Sequence, residues 1–227
     1  MKLQRDGWPL HRLMIEDSLS KKSPLSRIIE IGLELWIRGQ CKAIKKIDLK
    51  LFGSTFQLLS GKVSNVRLIA NEINFKGLIL HYLDIQSGDI QLKIPSNNKN
   101  KKFGPEKAFN IQGIISLTSE GINLITSTAQ WSWIGEWLAK ELLEADKLEH
   151  ITINGSKFEL ECSTLKKKNL IITKESFELE ATSGTICFKN PNKSKVALLP
   201  MDPSIKIDKV SLKEGEMFLT GLAKVSP

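Results

Sequence analysis

From Ile47 onward the apolar residues return at every second position, and that spacing leaves few folds open. Ile47, Leu49 and Leu51 alternate with other residues, as do Val66, Leu68 and Ala70. The pairs Ile73 and Phe75, Leu78 and Leu80, and Leu83 and Ile85 follow, then Ile90, Leu92 and Ile94. The longest run is Phe109, Ile111, Gly113, Ile115 and Leu117. A period of two sends alternate side chains to one face, so the pattern predicts an antiparallel meander with one buried face per strand. Gly53, Gly61, Gly77 and Gly88 punctuate it as turns or bulges. Residues 95–107 read as a basic surface loop. Strands resume over 151–153, 158–162, 170–173 and 177–188, and a last pair covers 205–212 and 217–225. Lys166, Lys167 and Lys168 fall at a strand edge or turn, where like charges oppose edge-to-edge pairing.

Two segments keep a helical period instead. Ser23-Pro24 is a start signal, with Ser as cap and Pro at the first helical position. From there to about residue 47, Ile28, Ile31 and Leu35 form one row, and Ile29, Gly32, Trp36 and Ala43 another. Only a narrow stripe is polar: Glu30, Glu34, Arg38 and Lys45. A helix apolar over most of its girth is expected to be buried on more than one side, so strands should wrap it. Thr118 is expected to cap a short helix over 119–127. A second helix is expected over about 129–145, with Trp131, Ile134, Leu138 and Leu142 on one face and Trp133 and Trp137 beside them. The expected class is therefore α+β: a long curved antiparallel sheet wrapping a buried N-terminal helix, with a second amphipathic helix in mid-chain. Residues 1–23 read as a flexible arm, and residues 24–227 as a single domain with no break in composition.

Composition narrows the function. A chain of 227 residues that is 41% hydrophobic builds a sizeable core without staples. The net charge is +8, and 28 of the 33 cations are Lys. Such a surface attracts anionic membranes or nucleic acid. Five scattered Arg are few for reading bases, whereas Lys suits lipid headgroups. Cys41, Cys162 and Cys187 have neither disulfide nor zinc spacing and read as small buried hydrophobes. There is no apolar leader segment and no run of 18 apolar residues, so the expected location is cytoplasmic, with any membrane contact peripheral on the inner or an internal membrane.

A search for catalytic constellations is barren. His11, His81 and His150 fit no metal-binding spacing, and no nucleophile elbow or phosphate-cradling loop is present. His81 with Asp84 lacks a nucleophile. The expectation is a protein that is not an enzyme, with no cofactor and no metal. The tryptophans carry more information. Trp131, Trp133 and Trp137 either pack a helix on the sheet, line the mouth of an apolar cavity, or dip into a membrane interface. Lys140 and Lys147 stand near enough in sequence to serve a phosphate headgroup.

Several segments resemble the LmeA-like phospholipid-binding family, most closely its branch from photosynthetic bacteria. Trp36-Ile37-Arg38-Gly39-Gln40 is similar to a Trp-Leu-Arg-x-Gln signature. Gln57-Leu58-Leu59-Ser60-Gly61 matches a Gln-Leu-Leu-Ser-Gly turn. Gly77-Leu78 resembles a Gln-Gly-Leu step, with Phe75 and Lys76 in place of the aromatic residue and Gln. Residues 221–227 read Gly-x-Ala-x-Val-x-Pro, also typical. The family's acidic-Leu-Asn triplet is Gly121-Ile122-Asn123 here, so Thr118 and Asn123 alone match.

This resemblance implies a β-rich lipid-binding fold and, in exported members, a link to envelope glycolipid assembly; with no export signal here, that role does not carry over. The expected function is non-catalytic phospholipid binding. Trp36, Ile111, Ile115, Trp131, Trp133 and Trp137 would line the groove, and Lys140 and Lys147 the headgroup rim. The partner would be a phospholipid or other acyl lipid. One alternative is a peripheral scaffold that binds anionic membranes through Lys and Trp and encloses no lipid. A nucleic-acid-binding β protein ranks last, because only Tyr82 and scattered Phe are available for stacking.

Overall fold

The structure is a computed structural model that describes residues 23–94, 103–193 and 196–227. The arm expected over 1–23 lies outside the described residues except for Ser23, as does most of the loop expected over 95–107. Ser23 caps the first helix, α1 (Pro24–Gln40), by accepting a hydrogen bond from the Ser26 N–H at 3.2 Å. The elements then run β1 (Cys41–Phe52), α2 (Thr55–Leu59), β2 (Lys62–Val63), β3 (Asn65–Phe75), β4 (Leu78–Ser87), β5 (Ile90–Lys93), β6 (Gly104–Pro105) and β7 (Phe109–Thr118). Two helices follow, α3 (Ser119–Ser127) and α4 (Ser132–Leu143). The chain ends in strands: β8 (Lys147–Asn154), β9 (Lys157–Lys166), β10 (Asn169–Thr182), β11 (Thr185–Lys189), β12 (Val196–Leu198), β13 (Ile205–Lys213) and β14 (Glu216–Val225).

The class is α+β and every recorded strand pair is antiparallel. The strands divide into a six-stranded sheet ordered β1-β3-β4-β7-β14-β13, a five-stranded sheet ordered β12-β11-β10-β9-β8, and a small sheet of β2, β5 and β6. Alternation shows that a segment is a strand but not which strand it pairs with. The hairpin β13–β14 therefore returns unannounced to β7, across all of the second sheet.

The sequence expectations differ from the structure at several places. Helix α1 stops at Gln40 instead of reaching residue 47, because Ile44, Ile47 and Leu49 enter the ladder with Ile73, Ala70 and Leu68. Isoleucines three apart fit a helix face and a strand equally well, and pairing with β3 decides the matter. Residues 177–188 are not one strand: Ser183 and Gly184 (φ 55° and 80°) turn the chain between β10 and β11. The segments 66–70 and 73–75 are one strand, in which Glu72 at φ 52° shifts the buried parity from Ala70 to Ile73. Gly104 and Pro105, placed by sequence in a loop, pair with Lys93 and Leu92.

Helix α1 packs against β1, but along one stripe. Ile29 and Leu33 are buried, while Ile28, Ile31 and Leu35 remain 66%, 59% and 65% exposed. The expected wrapping on several sides is thus corrected among the described residues: the sheet covers one face, and Phe103 crowds a second side at Gly32.

Among the described residues there are two cores. The larger fills the space between the two big sheets around α3 and α4, with Leu138, Ile151, Leu160, Phe177 and Phe188 inside. Phe158 and Phe188 meet edge-on at 5.6 Å between centroids. Each such side chain contributes about 1.5–3 kcal/mol through burial. A smaller core lies under α1 and joins Ile29, Leu33, Leu58, Val63 and Leu92. Leu68 packs against both.

Candidate functional site

Strand register places three rows of side chains across the inner face of the six-stranded sheet, since directly paired residues share a face. One row runs Ile47, Ala70, Leu83, Ile115, Leu219, Val210. The next runs Leu49, Leu68, Ile85, Gly113, Gly221, Ile207. It starts in the small core at Leu49 and ends in the large core at Ile207. Ile111 sits in the third row between Ser87 and Ala223. In the second row the end residues Leu49 and Ile207 are buried, and in the first row Ala70, Leu83 and Val210 are. In the middle Leu68, Ile85, Ile111, Ile115, Leu219 and Ala223 are only half-buried. The result is an apolar strip along the margin of the large core, against which Leu68, Ile85, Ile115 and Leu219 pack.

Glycine leaves a gap in the middle of the strip. Gly113 and Gly221 face each other across β7 and β14. A Cβ on Gly113 would lie 2.2 Å from the Asp84 carbonyl oxygen, and one on Gly221 2.2 Å from that of Lys206. No other residue fits either backbone so close to its neighbour strand. The middle row is consequently two side chains short, flanked by Ile111 and Ala223 on one side and Ile115 and Leu219 on the other.

The residues singled out by sequence are dispersed around this strip. Ile111 and Ile115 lie on it. Trp36 stands over Gly104, where a Cβ would come within 2.9 Å of the indole nitrogen. Trp131 donates its indole N–H to the Lys76 carbonyl at 3.1 Å and rests against Gly77, bracing the β3–β4 turn. Trp137 packs against the large core, with its ring 5.9 Å from that of Phe188. Trp133 is 39% exposed. Lys140 is exposed on α4. Lys147 is paired with Glu149 at 2.8 Å. The hydrogen bond from Lys147, and then one from Ser163, holds the Glu149 carboxyl below its ordinary range.

The motif residues shared with the resembled family have local jobs. Arg38 pairs with Glu34 at 2.9 Å, one turn before Gln40 ends α1. Gln57 closes a capping box on α2: its side chain accepts from the Ser54 N–H, and its own N–H donates to Ser54 Oγ. Ser60 Oγ donates to the Gln57 carbonyl, and Gly61, at φ 73°, passes too close to Leu92 for a side chain. This turn buries Leu58 but leaves Leu59 67% and Phe56 82% exposed. Lys76-Gly77 forms a two-residue turn with both φ angles positive, setting Leu78 opposite Phe75. Thr118 caps α3. Asn123 donates to the Ile151 carbonyl and accepts from the Ile151 N–H, each at 2.8 Å, so its amide docks α3 on the edge of β8.

His81 and Asp84 do not form a pair. Asp84 binds Arg67 through two hydrogen bonds, at 3.0 and 2.7 Å. His81 lies 2.9 Å from Glu72 and 3.6 Å from Glu216. Among the described residues no group of three or more His, Cys, Asp or Glu is placed to hold a metal ion. No helix among them is long and apolar enough to cross a membrane. Two surface depressions, of about 400 and 250 Å³, lie off the strip, one at Met201, Pro203 and Lys206 and the other at Gln57, Val63 and Lys107.

Sequence reasoning missed the glycine pair, although Gly113 stood inside the longest alternating run and Gly221 inside a quoted motif. It also missed Leu68, Ile85, Leu219 and Ala223, because half-burial leaves no mark on an alternating pattern. A family model described as LmeA-like phospholipid-binding matches residues 21–222. No curated protein and no solved structure matches the chain.

Proposed function

The chain belongs to the LmeA-like phospholipid-binding family, and from that premise we propose that it is a non-catalytic carrier of phospholipid whose acyl chains lie along the inner strip of the six-stranded sheet. The observation that carries this reading is the strip itself. It is apolar, its middle residues are only partly buried, and two glycines leave its centre without side chains. From Leu68 to Gly221 it crosses four strands, roughly 14 Å at strand spacing. Acyl burial is worth about 0.8 kcal/mol per methylene, so affinity needs no reactive group. In this reading Ile111 and Ile115 line the groove. The exposed Lys140 holds the headgroup, and Lys147 joins it only by leaving Glu149. Among the described residues Trp133 is the tryptophan with most surface to offer a lipid. Trp36, Trp131 and Trp137 contribute from partly packed positions. Residues 24–227 act as one lipid-binding unit.

Mass spectrometry of the organic extract of protein purified without detergent tests this reading. Phospholipid near one per chain, retained through a high-salt wash, is the expected result. An Ile111→Asp/Leu219→Asp variant that remains folded should lose it. Absence of lipid from the wild-type chain, with vesicle binding that disappears in salt, would instead favour the surface scaffold.

A further inference from the structure

The hairpin of β9 and β10 carries a feature that acyl binding on the strip does not use. The pairing of β8 with β9 stops at Lys147 opposite Ser163, and β11 pairs β10 only over 178–182. The hairpin nevertheless continues through Thr164 with Ile171, Leu165 with Leu170 and Lys166 with Asn169. Among the described residues its end is thus a two-stranded ribbon beyond the last paired residues of both neighbours, touched by Asp146, whose carboxylate accepts from the Leu165 N–H at 2.8 Å. Leu165, Leu170 and Ile172 share one face and are 66%, 64% and 59% exposed, and Ile171 is 44% exposed on the other. Lower on the ribbon, charges are paired, as in Lys174 with Glu159 at 3.2 Å. At the tip, no carboxylate among the described residues pairs with Lys166, Lys167 or Lys168.

The turn is unusual for its geometry. Lys167 and Lys168 have φ 48° and 71°. Turns with both central φ angles positive favour Asn-Gly, because a side chain is crowded in the left-handed region. Three other hairpin turns here have that form, Lys76-Gly77, Ser183-Gly184 and Glu214-Gly215, and each places glycine second. The β9–β10 turn gives up the glycine and presents a cation instead.

We propose that this hairpin docks the protein on the surface of an anionic phospholipid bilayer. Lying on its Leu165–Leu170–Ile172 face, it sets apolar side chains at the acyl boundary, while the lysines reach headgroup phosphates with their stems along the apolar layer. Unpaired cations beside uncovered leucines complement a charged interface with an apolar interior. This docking does not depend on lipid held along the strip.

Flotation with phosphatidylcholine vesicles, with and without phosphatidylglycerol, tests the docking. Each cation near an anionic surface is worth about fivefold in affinity. Lys167→Asn/Lys168→Gly should therefore weaken binding to the anionic vesicles about 25-fold. The same change improves the turn, so its melting temperature should match or exceed that of the wild type, and a folding defect cannot imitate the effect. Leu165→Ser/Leu170→Ser should also weaken binding, by about tenfold per leucine. Unchanged flotation of the lysine variant would overturn the proposal. So would indifference of the wild type to phosphatidylglycerol, or the lysine substitution abolishing binding to single-stranded RNA while vesicle binding stays intact. Lipid co-purifying with the lysine variant at the wild-type level separates loss of docking from failure of the carrier reading.

Discussion

Gly113 and Gly221 tie one backbone detail to the surface proposed to hold lipid. An added methyl at either position would sit 2.2 Å from a neighbouring carbonyl oxygen, which no rotamer relieves. Gly113→Ala and Gly221→Ala should each lower stability by more than about 2 kcal/mol, since the ladder itself must move. Urea unfolding monitored by tryptophan fluorescence measures this. Gly39, where an added Cβ meets nothing within 4 Å, is the control and should tolerate Ala. Cysteine is a second residue-scale case. Burial pushes the Cys162 thiol up to about 11, with Glu149 and Glu161 adding to the effect. Its thiolate is therefore scarce at pH 8, and a thiol reagent should label it only after unfolding. Cys41 is half-buried and should react first in the native protein. Rapid labelling of Cys162 in native buffer would contradict this placement.

At the scale of elements, α3 shows how a short helix is fixed by two polar side chains. Ser119 Oγ accepts from the Ile153 N–H at 2.8 Å, and Asn123 bonds both backbone groups of Ile151. These contacts replace a missing neighbour strand along the edge of β8. Asn123→Leu leaves two partly buried backbone groups unsatisfied and should cost about 2–4 kcal/mol in chemical denaturation. Asn123→Asp keeps the acceptor and should cost less. The limits of α3 were legible in the sequence because Thr118 caps it and its apolar residues keep a helical period. The end of α1 was not, because nothing local separates a helix from a strand across Cys41–Ile47. Helix α2 was read only as a turn: five residues are too few for periodicity, and its capping box spans a single turn. The β9–β10 tip was visible as Leu-Lys-Lys-Lys-Asn-Leu-Ile-Ile. Its projection beyond β8 depends on where pairing ends, and composition does not carry that.

For the molecule as a whole, the two cores share the six-stranded sheet, and the strip runs from the small core at Leu49 along the margin of the large one. Alternation gave the class and the inner-facing positions, including Ile111 and Ile115. It could not divide the strands into separate sheets or bring β14 back beside β7. The strip exists only because of that return, which pairs Gly221 with Gly113 and Leu219 with Ile115. The tryptophans stood out in the sequence for their rarity. Their contacts give Trp131 and Trp137 bracing and packing work that spacing alone does not distinguish from ligand contact. Photo-crosslinking with a phospholipid bearing a diazirine in its acyl chain, followed by peptide mapping, tests the central claim most directly. The account predicts labels on β7 and β14, centred on Ile111, Ile115 and Leu219. Labels confined to α4 around Trp133, or to the exposed face of α1 at Ile28, Ile31 and Leu35, would contradict it.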